Sequence, residues 1–368
     1  MAALFLVTGG AGFIGRYLCE ELLQQGSRVR VVDSLVPQVH GDSEPLLPRE
    51  VEFLEGDVRD PELIRRALAG VDGVFHLAAE VGVGQSMYEI SRYVGGNDLA
   101  TAVLLENMID EPGRRLVVAS SMSVYGEGLY QTADGTRAGA VRRKLREGST
   151  AWDPVADDGS TLTPIATDET KQVDLASIYA LTKYAQERAC LITGGAYAID
   201  TVALRLFNVF GPGQALSNPY TGVLANFGAR LLNGQSPIIF EDGQQKRDFV
   251  HVRDVARAFR LAMQSKEAAG HVINIGSGRA YTIATVAEIL AEAMGVPKLR
   301  PQFLHKARAG DIRHCFADIS KARELLGFNP TGYLEDRVGE LADWIHAQDA
   351  QDRGEDAKRQ LEARGLVA

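Results

Sequence analysis

Cysteine is scarce in this chain. Its 368 residues hold three, Cys19, Cys190 and Cys315, far apart and without a C-x-x-C pair. That spacing excludes a disulfide framework and a cysteine metal site, and it fits a reducing compartment. No apolar run approaches the roughly 20 residues of a membrane span, so no membrane partner is expected. Positive charge is in deficit, with 39 Lys and Arg against 48 Asp and Glu for a net charge of −9. This argues against a nucleic acid as the main partner, and an anionic ligand would have to be met by arginines placed locally. There is no internal repeat. The first apolar strand starts close to Met1, which leaves no room for a signal peptide, so a cytoplasmic location is expected. The remaining balance, 45% hydrophobic and 24% charged residues, suits one large globular domain with a second lobe.

Glycine is placed with purpose. Leu4–Val7 is a short apolar run of strand type, followed by Gly9, Gly12 and Gly15 and then by a helical repeat over Arg16–Gln25. A buried strand running through a glycine turn into a helix N-terminus forms a phosphate cradle, because the backbone can approach the ligand and unpaired N–H groups point at it. The spacing is G-x-x-G-x-x-G, not G-x-G-x-x-G. Arg28–Asp33 reads as a second buried strand ending in an acid. A carboxylate there accepts hydrogen bonds from the adenosine ribose and repels a 2′-phosphate, so NAD is expected over NADP.

Further strands are predicted at Val51–Leu54, Val74–Leu77, Arg115–Ala119, Thr201–Phe207 and Val272–Ile275, with shorter ones at Pro237–Phe240 and Phe249–Val252. Helices are predicted over Pro61–Leu68, Met87–Ile109, Leu175–Ile192, Asp254–Met263, Ile283–Met294 and Ser320–Leu326. This alternation implies an α/β fold, a doubly wound parallel sheet with right-handed crossovers and the ligand at the carboxyl ends of the strands. Gly9, Asp33, Asp57, Ala78 and Ser121 all fall at those ends. Between Gly126 and about Asp168 the pattern breaks into a polar, glycine-rich insertion with a basic run at Val141–Arg146. Such a segment is either a lid or a partly disordered loop, and its position beside Ser121 favours a lid. From Asp349 the chain is charge-dense and reads as a solvated helix or a frayed end.

Leu175–Ile192 carries Tyr179 and Lys183, four residues apart on one helix face. A phenol is a poor base at neutral pH because its ordinary pKa is about 10. A nearby ammonium and a positively charged nicotinamide both stabilise the phenolate. The tyrosine can then take a proton from a sugar hydroxyl while the nicotinamide takes hydride from the same carbon. Ser121, at its strand end, would hydrogen-bond that hydroxyl and relay the proton.

These residues sit in motifs that resemble the extended short-chain dehydrogenase/reductases, in the branch of nucleotide-sugar epimerases and dehydratases. The motifs are TGGAGFIG (Thr8–Gly15), HLAA (His76–Ala79), SSMSVYG (Ser120–Gly126), YALTK (Tyr179–Lys183), RLFNVFGPGQ (Arg205–Gln214), RDFVHVRDVA (Arg247–Ala256) and RAGDIRHCFADISKARELLGF (Arg308–Phe328). The resemblance implies a Rossmann-type NAD-binding domain over 1–205 that includes the insertion and is rejoined by about 240–276. A smaller α/β substrate-binding lobe would comprise 206–239 and 277–345, followed by a charged tail at 346–368. It also implies catalytic roles for Ser121, Tyr179 and Lys183. NAD contacts would come from Gly9, Gly12, Phe13, Ile14, Gly15, Asp33, Asp57, Val58, Leu77, Ala79 and Asn97, together with Tyr179 and Lys183. Sugar-nucleotide contacts would come from Ser121, Ser123, Asn208, Arg247, Arg308 and Asp311, two of them arginines suited to a pyrophosphate. His251 and His314 read as structural.

Dehydratases of this branch carry acids directly after the catalytic threonine, where this chain has Met122 and Ser123. That departure favours inversion at C4 over loss of the C6 hydroxyl. The stretches Val81–Ile90, Ser121–Tyr130, Gly211–Val223 and Ala309–Ser320 are similar to those of dTDP-L-rhamnose 4-epimerases. The expected substrate is therefore dTDP-L-rhamnose. Alternatives are a UDP-glucose/UDP-galactose-type 4-epimerase, a dehydratase or decarboxylase of the same fold, and a non-enzymatic NAD-sensing scaffold. Cysteine pairs carried by some relatives in the insertion are missing, so no metal is implied. The family also implies a homodimer, with the Met87–Ile109 and Leu175–Ile192 helices paired across a two-fold axis.

Overall fold

The computed structural model describes residues 2–41, 45–110, 113–138, 151–216, 222–307, 311–348, 359–360 and 362–367. Seven strands form one parallel sheet. Across it they run Val272–Ile275, Thr201–Leu206, Arg115–Ser121, Gly73–His76, Leu4–Thr8, Arg28–Asp33 and Glu52–Glu55. Every neighbouring pair is parallel. Their Val/Leu/Ile-rich runs are what a sheet covered on both faces requires. The order reverses direction between Leu4–Thr8 and Gly73–His76, and the crevice at the carboxyl ends of these two strands is where ligands bind in such sheets.

Helix Phe13–Gln24 packs on one face with helix Val252–Gln264. Helices Pro61–Leu68 and Ala100–Ile109 cover the other. Pro61–Leu68 matches its predicted bounds because the start signal is explicit. Asp60 accepts from the N–H groups of Glu62 and Leu63, and proline occupies the first turn.

The segment expected to be mostly helical over Met87–Ile109 is helical without interruption from Ile90 to Ile109, but it is not a uniform α-helix. An α-helical turn at Ile90–Tyr93 and an α-helix at Ala100–Ile109 flank a π-helical stretch at Val94–Leu99, and a separate helical turn at Val83–Ser86 precedes them. Glycines 95 and 96 weaken the regular helix there, and a π-turn inside an α-helix often marks a functional position. The π-turn carries Asn97.

The insertion is ordered over its described residues. Leu129–Gln131 lies between Arg137–Ala138 and Thr163–Ile165 in a small antiparallel sheet. Its ends are knitted to the segment at 314–318, with Gly128 N donating to His314 O, Thr167 N to Phe316 O and Asp318 N to Thr167 O. The basic run at Val141–Arg146 lies outside the described residues.

A second apolar cluster surrounds helices Val223–Leu232, Ile283–Ala293 and Leu334–His346. The first and last of these were not anticipated from sequence. Gly228 lies inside the first of them, and a Cβ there would lie 2.5 Å from Ile345 Cδ1. Glycine is what lets the two helices touch. No helix among the described residues is long and apolar enough to cross a membrane. The charged tail falls largely on 349–358, outside the described residues.

Candidate active site

The cradle follows the first strand. Gly9 has φ +70°, and a Cβ on it would stand 2.7 Å from Ala78 N, while one on Gly15 would stand 2.4 Å from Gly9 O. The turn therefore closes only with glycine at these positions. Gly12 precedes helix Phe13–Gln24 without a side-chain cap, which leaves the first-turn N–H groups of Phe13, Ile14 and Gly15 to a ligand anion. Asp33 ends its strand with one carboxylate oxygen accepting from Ala11 N and the other from Leu35 N, both at 3.0 Å. Strand-end acid and glycine turn are thus joined directly, as an adenosine diphosphate site requires.

Asp57, on the next strand end, is held by the Arg59 guanidinium through contacts of 2.6 and 3.0 Å, which keep its carboxyl below the usual range. Val58 is buried behind it. Leu77 and Ala78 continue the sheet edge by donating to Thr8 O and Thr8 Oγ1. The Asn97 amide accepts from Glu80 N at 2.6 Å and donates to Glu80 O and Thr182 Oγ1. It thereby pins the Ala79–Glu80 loop to the helix that bears the tyrosine. These observations fit NAD: a cradle that a Cβ would fill, a strand-end carboxylate and an uncapped helix start.

Ser177 caps helix Ile178–Tyr197 by accepting from Ala180 N at 3.1 Å, so Tyr179 and Lys183 lie in its first two turns. Burial pushes the Tyr179 phenol up, and the nearby Ser121 hydroxyl pulls it back. Tyr93, fully buried, packs edge-on against the Tyr179 ring at 6.5 Å. Lys183 is buried and brought down to about 8, although Cys190, Glu187 and Asp98 all favour its charged form. Its Nζ donates to Gln186 Oε1 at 2.7 Å. Burial raises Asp98, on the π-turn, to about 6 against the pull of the Lys183 charge. The structure thus brings Ser121, Tyr179 and Lys183 together at a strand end. Ser123 follows, and its Oγ is buried without a hydrogen-bond partner.

The expected sugar-nucleotide residues form a separate group. Asn208 donates from its N and Nδ2 to Asp248 O. Burial raises Asp248 to about 6 against bonds from Ser277 and Gly278. Arg247 donates from Nη1 to Lys246 O and Arg313 O at 2.9 and 3.1 Å, and from Nη2 to Ile312 O. Asp311 is half-buried beside that segment, and Arg308 lies outside the described residues. Both histidines have structural surroundings. His251 Nδ1 accepts from Arg253 N, and His314 Nδ1 accepts from Lys246 N. Among the described residues, no group of three or more His, Cys, Asp or Glu is placed to hold a metal ion.

Three supporting arrangements escaped the sequence reading. Glu187, one helical turn beyond Lys183, accepts from Ser120 Oγ at 2.7 Å and pairs with Arg205 at 2.7 and 2.8 Å. Its signal was an arginine inside an otherwise apolar strand, a residue that is almost never buried unless paired. His76 lies between Thr8 Oγ1 and Thr101 Oγ1 at 2.7 and 2.9 Å, and burial brings it down to about 3, a neutral ring.

The third arrangement joins the cradle to the loop at 211–214. Arg16 Nη2 donates to Pro212 O at 2.5 Å and Tyr17 Oη donates to the same oxygen at 3.0 Å. Gly213 has φ +92°, and a Cβ on it would fall 1.4 Å from Arg16 Nη2. Gly213→Ala is expected to displace the guanidinium and to lower thermal stability by roughly 1–3 kcal/mol, the cost of a forced backbone conformation. Calorimetry on Gly213→Ala, Arg16→Ala and the double variant checks this, since removing Arg16 relieves the clash and the double variant compared with Arg16→Ala leaves only the φ penalty.

Comparison with known proteins places these features in context. A family described as the NAD dependent epimerase/dehydratase family matches residues 5–276. A dTDP-L-rhamnose 4-epimerase of Burkholderia thailandensis is 38% identical over 92% of this chain and 94% of its own length. A putative UDP-glucose 4-epimerase of Methanocaldococcus jannaschii is 31% identical over 93% and 98%. Among solved structures, the UDP-glucuronic acid 4-epimerase of Bacillus cereus in complex with UDP-glucuronic acid and NAD superposes with a TM-score of 0.77. It is 28% identical and covers 94% of this chain and 99% of that one. The match spans the glycine cradle, the serine strand end and the tyrosine–lysine helix alike: the chain belongs to the NAD dependent epimerase/dehydratase family.

Proposed function

We propose that this protein inverts C4 of a nucleotide-activated 6-deoxyhexose, interconverting dTDP-L-rhamnose and dTDP-6-deoxy-L-talose. The observation that carries the reaction type is the Tyr179 phenol beside the Ser121 hydroxyl with Lys183 one turn away, followed by Met122 and Ser123 where a dehydratase would need an acid. NAD, when bound, supplies a hydride acceptor at C4 and gives the hydride back to the same carbon. Gly9, Gly12, Phe13, Ile14 and Gly15 would hold its diphosphate and Asp33 its ribose, with Asp57, Val58, Leu77 and Ala79 lining the site and Asn97 fixing the loop beside it.

Tyr179 removes the 4-hydroxyl proton as phenolate, which the Lys183 ammonium stabilises. Ser121 donates a hydrogen bond to the sugar oxygen as it becomes a carbonyl. Ser123 Oγ, buried and unpartnered, is available to a neighbouring hydroxyl. The 4-keto sugar turns over in the site, and Tyr179 returns the proton once the opposite face is presented. Arg247 and Arg308 hold the nucleotide diphosphate, and Asn208 and Asp311 meet other parts of the sugar nucleotide, so the sugar can rotate about a fixed anchor. Asn208, Arg308 and Asp311 belong to a substrate-binding lobe at 206–239 and 277–345, and Arg247 reaches the ligand from the 240–276 segment that rejoins the NAD-binding domain.

The 38% identity to a dTDP-L-rhamnose 4-epimerase supports the 6-deoxy sugar. The UDP-sugar epimerases among the relatives make UDP-glucose the competing substrate. Incubation with both nucleotide sugars, with C4 configuration read by NMR, separates the two. Inversion of dTDP-L-rhamnose is expected. A stable 4-keto-6-deoxy product from a 6-hydroxy sugar would overturn the epimerase reading.

A homodimer belongs to the same proposal. Val94, Leu99, Leu181 and Ile192 are exposed on the π-turn and the tyrosine helix, the two elements expected to meet a second copy.

A further inference from the structure

Arg313 is among the largest fully buried side chains, with 1% of its surface exposed, and it faces three carboxylates. Its Nη1 and Nη2 fork onto Asp242 at 2.6 and 3.0 Å, Nη1 also reaches Glu241 at 2.9 Å, and Nε donates to Asp153 Oδ1 at 2.7 Å. Asp153 belongs to the insertion, and the same oxygen accepts from His314 Nε2 at 3.1 Å. His314 Nδ1 already accepts from Lys246 N, so the ring proton sits on Nε2 and points at Asp153. A second insertion residue grips the same segment from its other end. Glu127 accepts from Arg313 N and His314 N at 2.8 and 3.2 Å and from Tyr130 Oη at 2.8 Å. Trp152 and Leu162, on either side of Asp153, are buried.

The gripped segment is the one that seats Arg247. Strand His314–Cys315 pairs with Lys246–Arg247, and the Arg247 guanidinium hydrogen-bonds the carbonyls of Ile312 and Arg313. A displacement of residues 312–314 would therefore move Arg247 with it. The guanidinium forks of Arg313 fix direction as well as distance, and a buried arginine so surrounded resists displacement because any lost partner leaves a carboxylate unpaired.

We propose that Asp153 and Arg313 are positioning residues for sugar-nucleotide binding. The insertion is a strap, fastened at Glu127 and Asp153, that sets where Arg247 stands. This rests on the reading of Arg247 as a diphosphate ligand. The strap need not open or close to act, since its function is to hold the anchor still while the sugar turns.

The test uses the full-length, NAD-loaded protein and compares Asp153→Asn, Arg247→Gln and the double variant. Asp153 is half-exposed, so its isosteric replacement should fold, and bound NAD measured by absorbance verifies that the cradle is intact. Asp153→Asn is expected to raise KM and the calorimetric Kd for dTDP by roughly three- to tenfold, about the worth of one ordinary hydrogen bond, with kcat moving less than KM. Arg247→Gln should raise both further, and the double variant should be no worse than Arg247→Gln alone. An unchanged KM and Kd in Asp153→Asn, additive effects in the double variant, or a parallel loss of NAD would each overturn the strap. An unchanged dTDP Kd in Arg247→Gln would instead sink the diphosphate reading on which it rests.

Discussion

Tyr179→Phe is expected to retain fold, NAD content and sugar-nucleotide affinity while losing turnover by roughly 10²- to 10⁴-fold, the usual contribution of a positioned acid–base group. The substitution removes one oxygen from a ring held on two sides, by Tyr93 edge-on at 6.5 Å and by its own helix turn. What it removes functionally is the hydroxyl that stands beside Ser121. Burial alone drives the phenol pKa up and so works against catalysis. The cation at Lys183 must counter that drive, and its own pKa of about 8 keeps most of it charged at neutral pH. Lys183→Met should consequently slow the reaction too, with the activity displaced to higher pH as the phenol regains its unassisted pKa. Rates measured against pH for wild type and both variants check this. Near-normal activity in Tyr179→Phe would remove the residue from the proton path, and an unshifted profile in Lys183→Met would remove the electrostatic role.

The sheet and the cradle were legible in the sequence because each is written in local terms. Runs such as Arg28–Asp33 and Val272–Ile275 were read with their observed ends, as were Pro61–Leu68 with its capping acid and Ser320–Leu326. Motif spacing likewise placed Ser121, Tyr179 and Lys183, which the fold assembles at one strand end. What could not be read was tertiary. The π-turn at Val94–Leu99 depends on how Asn97 grips Glu80 and Thr182, and no sequence period encodes it. The Val223–Leu232 helix was not anticipated, and the purpose of its Gly228 is visible only in the Ile345 side chain that fills the missing Cβ. Composition left the insertion open between a lid and a partly disordered loop, and only its position favoured a lid. Its order comes from Arg313 and the segment at 314–318, residues far along the chain. Arg205 looked like part of a motif, and its partner lies on another element.

That pairing carries the largest expected effect on stability. Glu187 is fully buried and Arg205 nearly so. Arg205 gives Glu187 two hydrogen bonds and stacks over the Tyr125 ring at 4.7 Å. Glu187 takes a third bond from Ser120 Oγ. One carboxylate therefore ties the tyrosine–lysine helix to the strand that ends in Ser121 and to the strand beside it. Arg205→Met is expected to destabilise the protein by about 3–5 kcal/mol, because it strands a charge in a site that water cannot reach. Glu187→Met/Arg205→Met should recover most of that loss, since two apolar side chains of similar size leave no uncompensated charge. Urea unfolding midpoints on the single and double variants measure both quantities. The double variant has a second consequence. With the tie gone, helix and strand are held by packing alone, so Ser121 and Tyr179 lose a fixed separation. Stability restored with turnover still depressed would show that the buried pair sets catalytic geometry. Full recovery of both would show that it only balances charge, and a stable Arg205→Met would show that Glu187 finds another partner or takes up a proton.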